Sequence, residues 1–142
     1  MLLQQELIFL AAEKTALGQA EGHFARKVAV LVLQEPGSAA NRDFLTKVLS
    51  AAGLDLQQDT LLAEIPAHEP VSIAPDLQER KPLHLLVFGI SPAQLGLSVQ
   101  VVPYQPLSFY NATWLFSDAL SILEPDKQKK SMLWNALKQL FL

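Results

Sequence analysis

The chain contains no cysteine. Disulfides, thiolate nucleophiles and cysteine-ligated zinc or iron–sulfur centres are therefore excluded. It also lacks a basic excess, since 11 Lys+Arg against 14 Asp+Glu leave a formal net charge of −3. No overall field draws phosphate backbones to it, so strong direct nucleic-acid binding would need a local patch. No apolar run is long enough to span a bilayer. The opening MLLQQELIFLAAEKTALG is interrupted by Gln4, Gln5 and Glu6, with no basic region ahead of it, and reads as a helix rather than a signal peptide. A cytoplasmic protein without a membrane partner is the expectation. Phosphate-cradle signatures are missing as well: neither GxGxxG nor GxxxxGK[ST] occurs.

What remains is a composition that folds. Half of the 142 residues are apolar and 18% are charged, enough for the core of one ordinary domain. Leu3, Leu7 and Leu10 recur at helical spacing, with Phe9 beside them and Gly18 as a stop, which predicts a helix over 2–17 and an N-terminal helix-plus-linker over 1–24. Its apolar face has two uses, packing on its own domain or docking on a partner. The domain proper spans 25–142. KVAVLVLQ (27–34) is a continuous apolar run ended by Pro36 and Gly37, the pattern of a strand buried on both faces. A helix follows, with Asn41 as its cap, an apolar stripe of Phe44, Leu45, Val48, Leu49 and Ala52, and Gly53 beyond its end.

Further strands are predicted near 59–65, 84–89 and 98–104, with a proline-rich surface connection over 66–82. Ser91 and Pro92 open a short helix, and a last helix begins at Pro125 and buries Leu133, Ala136, Leu137 and Leu140. The fold class is α/β, a three-layer α/β/α sandwich around a mostly parallel central sheet. Val30, Val32, Leu45, Val48, Leu86, Phe88, Leu133 and Leu137 are the expected core.

Chemistry is sparse. Ligands of open α/β sheets sit at the carboxyl ends of the strands, which here are followed by QEPGSAANRD and GISPAQLG. Gly89 reads as a tight-turn residue and Ser91 as a helix cap, with no GxSxG elbow around it. His23, His68 and His84 are dispersed, without the i, i+4 spacing of a helical metal pair. Glu35 and Asp43 flank the first loop without a signal that they act together. Lys127, Lys129 and Lys130 form a small basic cluster with two readings, a solvated face or a phosphate-binding patch. Trp114 and Phe116 have two readings, as core or as the aromatic anchor of a partner surface.

The succession of motifs resembles the psi subunit family of bacterial DNA polymerase III. The carriers are EPG after KVAVLVLQ, then NRDFLTKVLSAAGLDL, DTLLAEIP, and QPLSFYNATWLFSDALSILEPDKQKKSMLWNALKQL, across residues 27–142. The family shares Pro-Leu-Ser, a short Ala-Leu helix, a proline and a helix containing Leu-Trp. The resemblance implies a uracil-DNA-glycosylase-like α/β/α fold without glycosylase activity, cofactor or metal. It implies a bridging role: an N-terminal segment docks on clamp-loader subunits while the folded domain holds a chi-like subunit that touches single-stranded-DNA-binding protein. By placement, Leu3, Leu7, Phe9 and Leu10 would form the docking segment. A rival on the same scaffold is an active base-excision enzyme, but the first-strand loop reads Gln34-Glu35-Pro36-Gly37 where glycosylases carry Gly-Gln-Asp-Pro-Tyr-His, and Tyr104-Gln105 stand where they place His-Pro-Ser. A small-ligand-binding α/β domain is the third reading.

Overall fold

The computed structural model describes residues 15–142. Its centre is a five-stranded sheet of order β2-β1-β3-β5-β4. Strands β1 (Val28–Leu33), β2 (Thr60–Ile65), β3 (His84–Phe88) and β5 (Ala112–Ser117) are parallel, and the short β4 (Leu107–Phe109) turns back antiparallel against β5. Helices are α1 (Ser38–Ala51), α2 (Leu56–Asp59), α3 (Ala74–Arg80), α4 (Leu120–Leu123) and α5 (Lys127–Phe141), with a 3-10 turn at Ala93–Leu95. The chain is thus α/β with a mostly parallel sheet.

Strand periodicity sorts the core into two halves. Val28, Val30, Val32, Leu86, Phe88 and Leu115 face one side and meet Leu45 and Leu49 of α1, Leu120 and Leu123 of α4, and Leu133 and Leu137 of α5. Ala29, Leu31, Leu85, Val87, Trp114 and Phe116 face the other side. That side is covered more thinly, by Ala16, Leu17, Leu77 of α3, Ile90 and Leu95. Of the expected core, Val30, Val32, Leu45, Leu86, Phe88, Leu133 and Leu137 are buried. Val48 is the exception: it lies on the shoulder of α1 and is only partly covered.

Four local expectations are corrected. Residues 98–104 do not form a strand; the fourth parallel strand is β5. Pro103 and Pro106 bring no N–H to a ladder, and Val99 and Val101 only lean on the thinly covered half of the core. Residues 66–82 are not all connection, because IAPDLQER carries α3, with proline in its first turn, where a missing N–H does no harm. Helix α1 starts at Ser38, so Asn41 sits within its first turn and not at its cap. In α5 the cap is Asp126, whose side chain accepts from the Lys129 N–H at 3.0 Å, and Pro125 stands just outside.

Candidate functional site

In a sheet of this order the chain leaves β1 and β3 toward opposite faces, and the crevice between their carboxyl ends is where α/β folds bind ligands. Here that crevice is filled from within. Gly89, at φ +79, packs so closely on Ala119 that an added Cβ would stand 2.8 Å from the Ala119 Cβ and 2.9 Å from its Cα. Across the same gap Glu35 is drawn into α4: its carboxylate accepts from the Ser121 hydroxyl, from the Ser121 N–H at 3.4 Å and from Asn41 Nδ2 at 3.4 Å. Leu120 and Leu123 are buried below. Between α1, α4 and strands β1 and β2, the space lined by Val32, Glu35, Asn41, Leu45, Leu62 and Leu120 is about 20 Å³, the room of roughly one water molecule.

Beside the crevice, loops are laced by polar contacts. Tyr104 donates its hydroxyl proton to Asp118 Oδ2 at 2.5 Å, and Lys129 Nζ lies 3.3 Å from the same oxygen. Burial, reinforced by the bond to Asp118, pushes the Tyr104 phenol well above its usual range, so it remains a donor at neutral pH. Gln94 Nε2 donates to the Pro66 and Glu69 carbonyls at 2.9 and 3.1 Å, and Ser91 Oγ accepts from the Gln94 N–H at 3.3 Å. Ser91 thus makes a capping bond, although the 3-10 turn begins at Ala93 and its N-cap is Pro92 rather than Ser91. A polar cleft of about 490 Å³ opens at the carboxyl ends of β1 and β2, between Gln19, Gln34, Ile65 and Val71.

The residues expected to meet partners fall into two groups. Leu3, Leu7, Phe9 and Leu10 lie outside the described residues. Trp114 and Phe116 are 0% and 5% exposed, which corrects their reading as a surface anchor. Trp114 stacks on Phe109 at 4.6 Å and on Phe116 at 5.9 Å, and its indole N–H donates to the Phe109 carbonyl at 3.1 Å. They hold the β4–β5 hairpin to the sheet.

Where the N-terminal region enters the described structure it is not a helix. Residues 15–27 run as a strap around β2. Thr15 bridges Ser72, the Ala16 N–H donates to the Ser72 carbonyl at 2.9 Å, and Glu21 pairs with Leu62 in both directions at 2.8 and 3.0 Å. Gly22 lies against the Thr60 carbonyl, where a Cβ would come within 2.0 Å. Asp76 of α3 locks the strap. Its Oδ2 accepts from the Leu17 N–H at 3.0 Å, Arg80 approaches at 3.8 Å, and it is 3% exposed. Burial, the dominant influence, holds its pKa above the ordinary carboxylate value despite that bond and Arg80.

The remaining candidates form no joint site. No group of His, Asp or Glu among the described residues is arranged to hold a metal. At His84 the Nδ1 is buried without a hydrogen-bond partner, the ring packs 4.7 Å from Phe141, and burial followed by the Arg26 charge lowers its pKa. Trp134 is partly buried beside Lys138, whose Nζ lies 5.8 Å from the ring centroid. No helix among the described residues is long and apolar enough to cross a membrane.

Sequence reasoning missed Asp76 and the Tyr104–Asp118–Lys129 cluster. The Pro75-Asp76 pair just inside α3 carried a helix-start signal, which the surrounding prolines obscured. The second cluster joins positions 14 residues apart by one hydroxyl and left no local mark. No protein-family model and no curated protein matches the chain.

Proposed function

We propose that the chain is a non-catalytic bridging subunit of a replicative DNA polymerase III holoenzyme, of the psi type, on a uracil-DNA-glycosylase-like fold. Its N-terminal segment docks on the clamp loader, and the folded domain holds a second subunit that reaches single-stranded-DNA-binding protein. The motif succession across residues 27–142 supports this reading. The observation that carries it is the close packing of the crevice between β1 and β3, where Gly89 meets Ala119 and Ser121 holds Glu35, since a base taken out of a duplex needs a pocket to receive it. The strap is consistent with a tether role, because a docking segment transmits its hold only if its root is fixed, and Asp76 fixes Leu17.

A pull-down of purified clamp-loader subunits on the full chain tests the reading, run alongside Leu7→Glu with a thermal melt of both. The expected result is capture by the wild-type chain, loss of capture by the variant and an unchanged melting temperature. Capture retained by a variant whose melting temperature collapses would remove the docking role. Absence of capture by the wild-type chain would remove the clamp-loader assignment, and enzyme-like release of uracil from a uracil-containing oligonucleotide would replace it with the glycosylase reading.

A further inference from the structure

At the other end of the sheet, ahead of β3 and β5, the surface is open. A groove of about 680 Å³ is lined by Leu77, Lys81, Leu83, Leu97, Tyr110 and Asn111, among others. Two large apolar side chains stand on its rim, Leu83 at 55% and Tyr110 at 61% exposure. The rim backbone is held at a conformational disadvantage. Lys81, Tyr110 and Asn111 have φ of 51, 51 and 60°. Asn tolerates that region, but a tyrosine at the first centre of a two-residue hairpin turn takes a place that Asn, Asp or Gly fills with less strain. The turn thus keeps an aromatic ring at the surface, where the backbone favours a small polar residue. Backbone in sparsely populated φ/ψ regions clusters at functional sites, ligand clamps among them, and tyrosine is enriched among residues that dominate binding. Lys81 is the single charged residue lining the groove, and it forms no ion pair among the described residues.

We propose that this groove is a docking site for a short apolar segment of a protein partner that carries a carboxylate. The apolar side chains enter between Leu77, Leu83 and Leu97, the Tyr110 ring closes over them, and the carboxylate meets Lys81. A protein segment fits better than a pocket-filling small molecule because Leu83 and Tyr110 stand on the rim, so covering both takes a partner longer than the groove is deep. Charge complementarity selects an acidic partner: among the described residues Lys81 is the only charge in the lining, and it is positive. The choice of a protein partner rests on the bridging reading above, and the site would serve the folded domain's side of that bridge.

A displayed library of random peptides, selected on the full chain, is the probe. The expected selection yields peptides combining leucine or aromatic residues with an acidic residue. Their affinity, measured by fluorescence polarisation, should fall about tenfold or more in Leu83→Glu and in Tyr110→Asn. Tyr110→Asn suits the turn, so its melting temperature should not drop, and binding loss there cannot be ascribed to unfolding. Lys81→Asn, equally suited to a positive φ, should weaken the acidic peptide several-fold and leave unchanged the same peptide with its carboxylate made an amide. Selected peptides that bind all three variants as well as the wild type would overturn the site. A selection without acidic residues, or an equal effect of Lys81→Asn on acid and amide peptides, would overturn the charge assignment. The clamp-loader pull-down is read separately: peptides on this groove without capture would sink the holoenzyme reading alone, and capture with groove-blind peptides would sink this site alone.

Discussion

The two ends of strand β3 are built in opposite ways. At its carboxyl end Gly89 presses on Ala119, and beside it Glu35 is held by Ser121. At its amino end Leu83 stands exposed beside a groove of about 680 Å³. The closed end is the one that α/β enzymes ordinarily keep open. The contrast teaches that the general rule locates the crevice without saying whether it is in use. Occupancy is decided by the segment after the last parallel strand, and here α4 comes directly after β5 and turns its leucines into the gap.

Both ends depend on the middle of the strand. Leu86 is 0% exposed on the helix-covered side, and Leu86→Ala should destabilise the chain by about 2–5 kcal/mol, read by denaturant melts. A loss below about 1 kcal/mol would show that the strand is not held from both sides as described. Next in size is Gly89→Val at the closed end. It adds a branched side chain at a positive φ and against Ala119, so a loss of about 2–3 kcal/mol is expected. A neutral substitution would mean that the crevice can open, which would dissolve the contrast between the two ends.

The amino end carries a histidine whose titration is shifted. The His84 ring is favoured neutral in the fold, because burial and then Arg26 lower its pKa below the ordinary value near 6.5. The stability tied to the neutral ring is therefore present above pH about 6.5 and is lost as pH falls from there toward the lower folded value. His84→Phe keeps an aromatic ring against Phe141 and should flatten that part of the stability profile, measured by melts between pH 5 and 8. An unchanged acid slope in the variant would assign the loss to other groups. The smallest effect is expected at the exposed rim, where Leu83→Glu should change stability by no more than about 0.5 kcal/mol. A large loss there would mean that the groove is closed in solution.

The sequence made some of this readable. β1 and most of β3 announce themselves as continuous apolar runs, because a strand buried on both faces has no polar alternation to blur, while β2, which includes Thr60 and Glu64, is marked by its length and by Pro66 at its end. LSVQVVPY alternates as well, yet alternation reports only that an extended segment is half buried. Whether it joins a ladder depends on a neighbour with free N–H and C=O groups, which the spacing of apolar residues does not encode. Trp114 illustrates the limit for sites: the same residue type serves a core stack or a docking surface, and only the position of Phe109 and Phe116 around it decides. The groove joins residues 77, 83, 97 and 110 from four separate segments. No local spacing connects them, and the positive φ angles of Lys81 and Tyr110 occur without a glycine to mark them.

The strap has a consequence for self-association. A mostly parallel sheet rich in Val, Leu and Ile offers a template for strand addition wherever an edge lies bare. One edge of this sheet ends in β4, three residues long. The other is β2, and there the pairing of Glu21 with Leu62 and the run of bonds from residues 23–26 onto Gln57, Gln58, Asp59 and Thr60 occupy groups that would otherwise recruit a second chain. Shortening the chain past Thr15 removes bonds of this strap. A deletion carried through Phe24 would uncover β2, and the resulting aggregates would be mistaken for the loss of a docking partner.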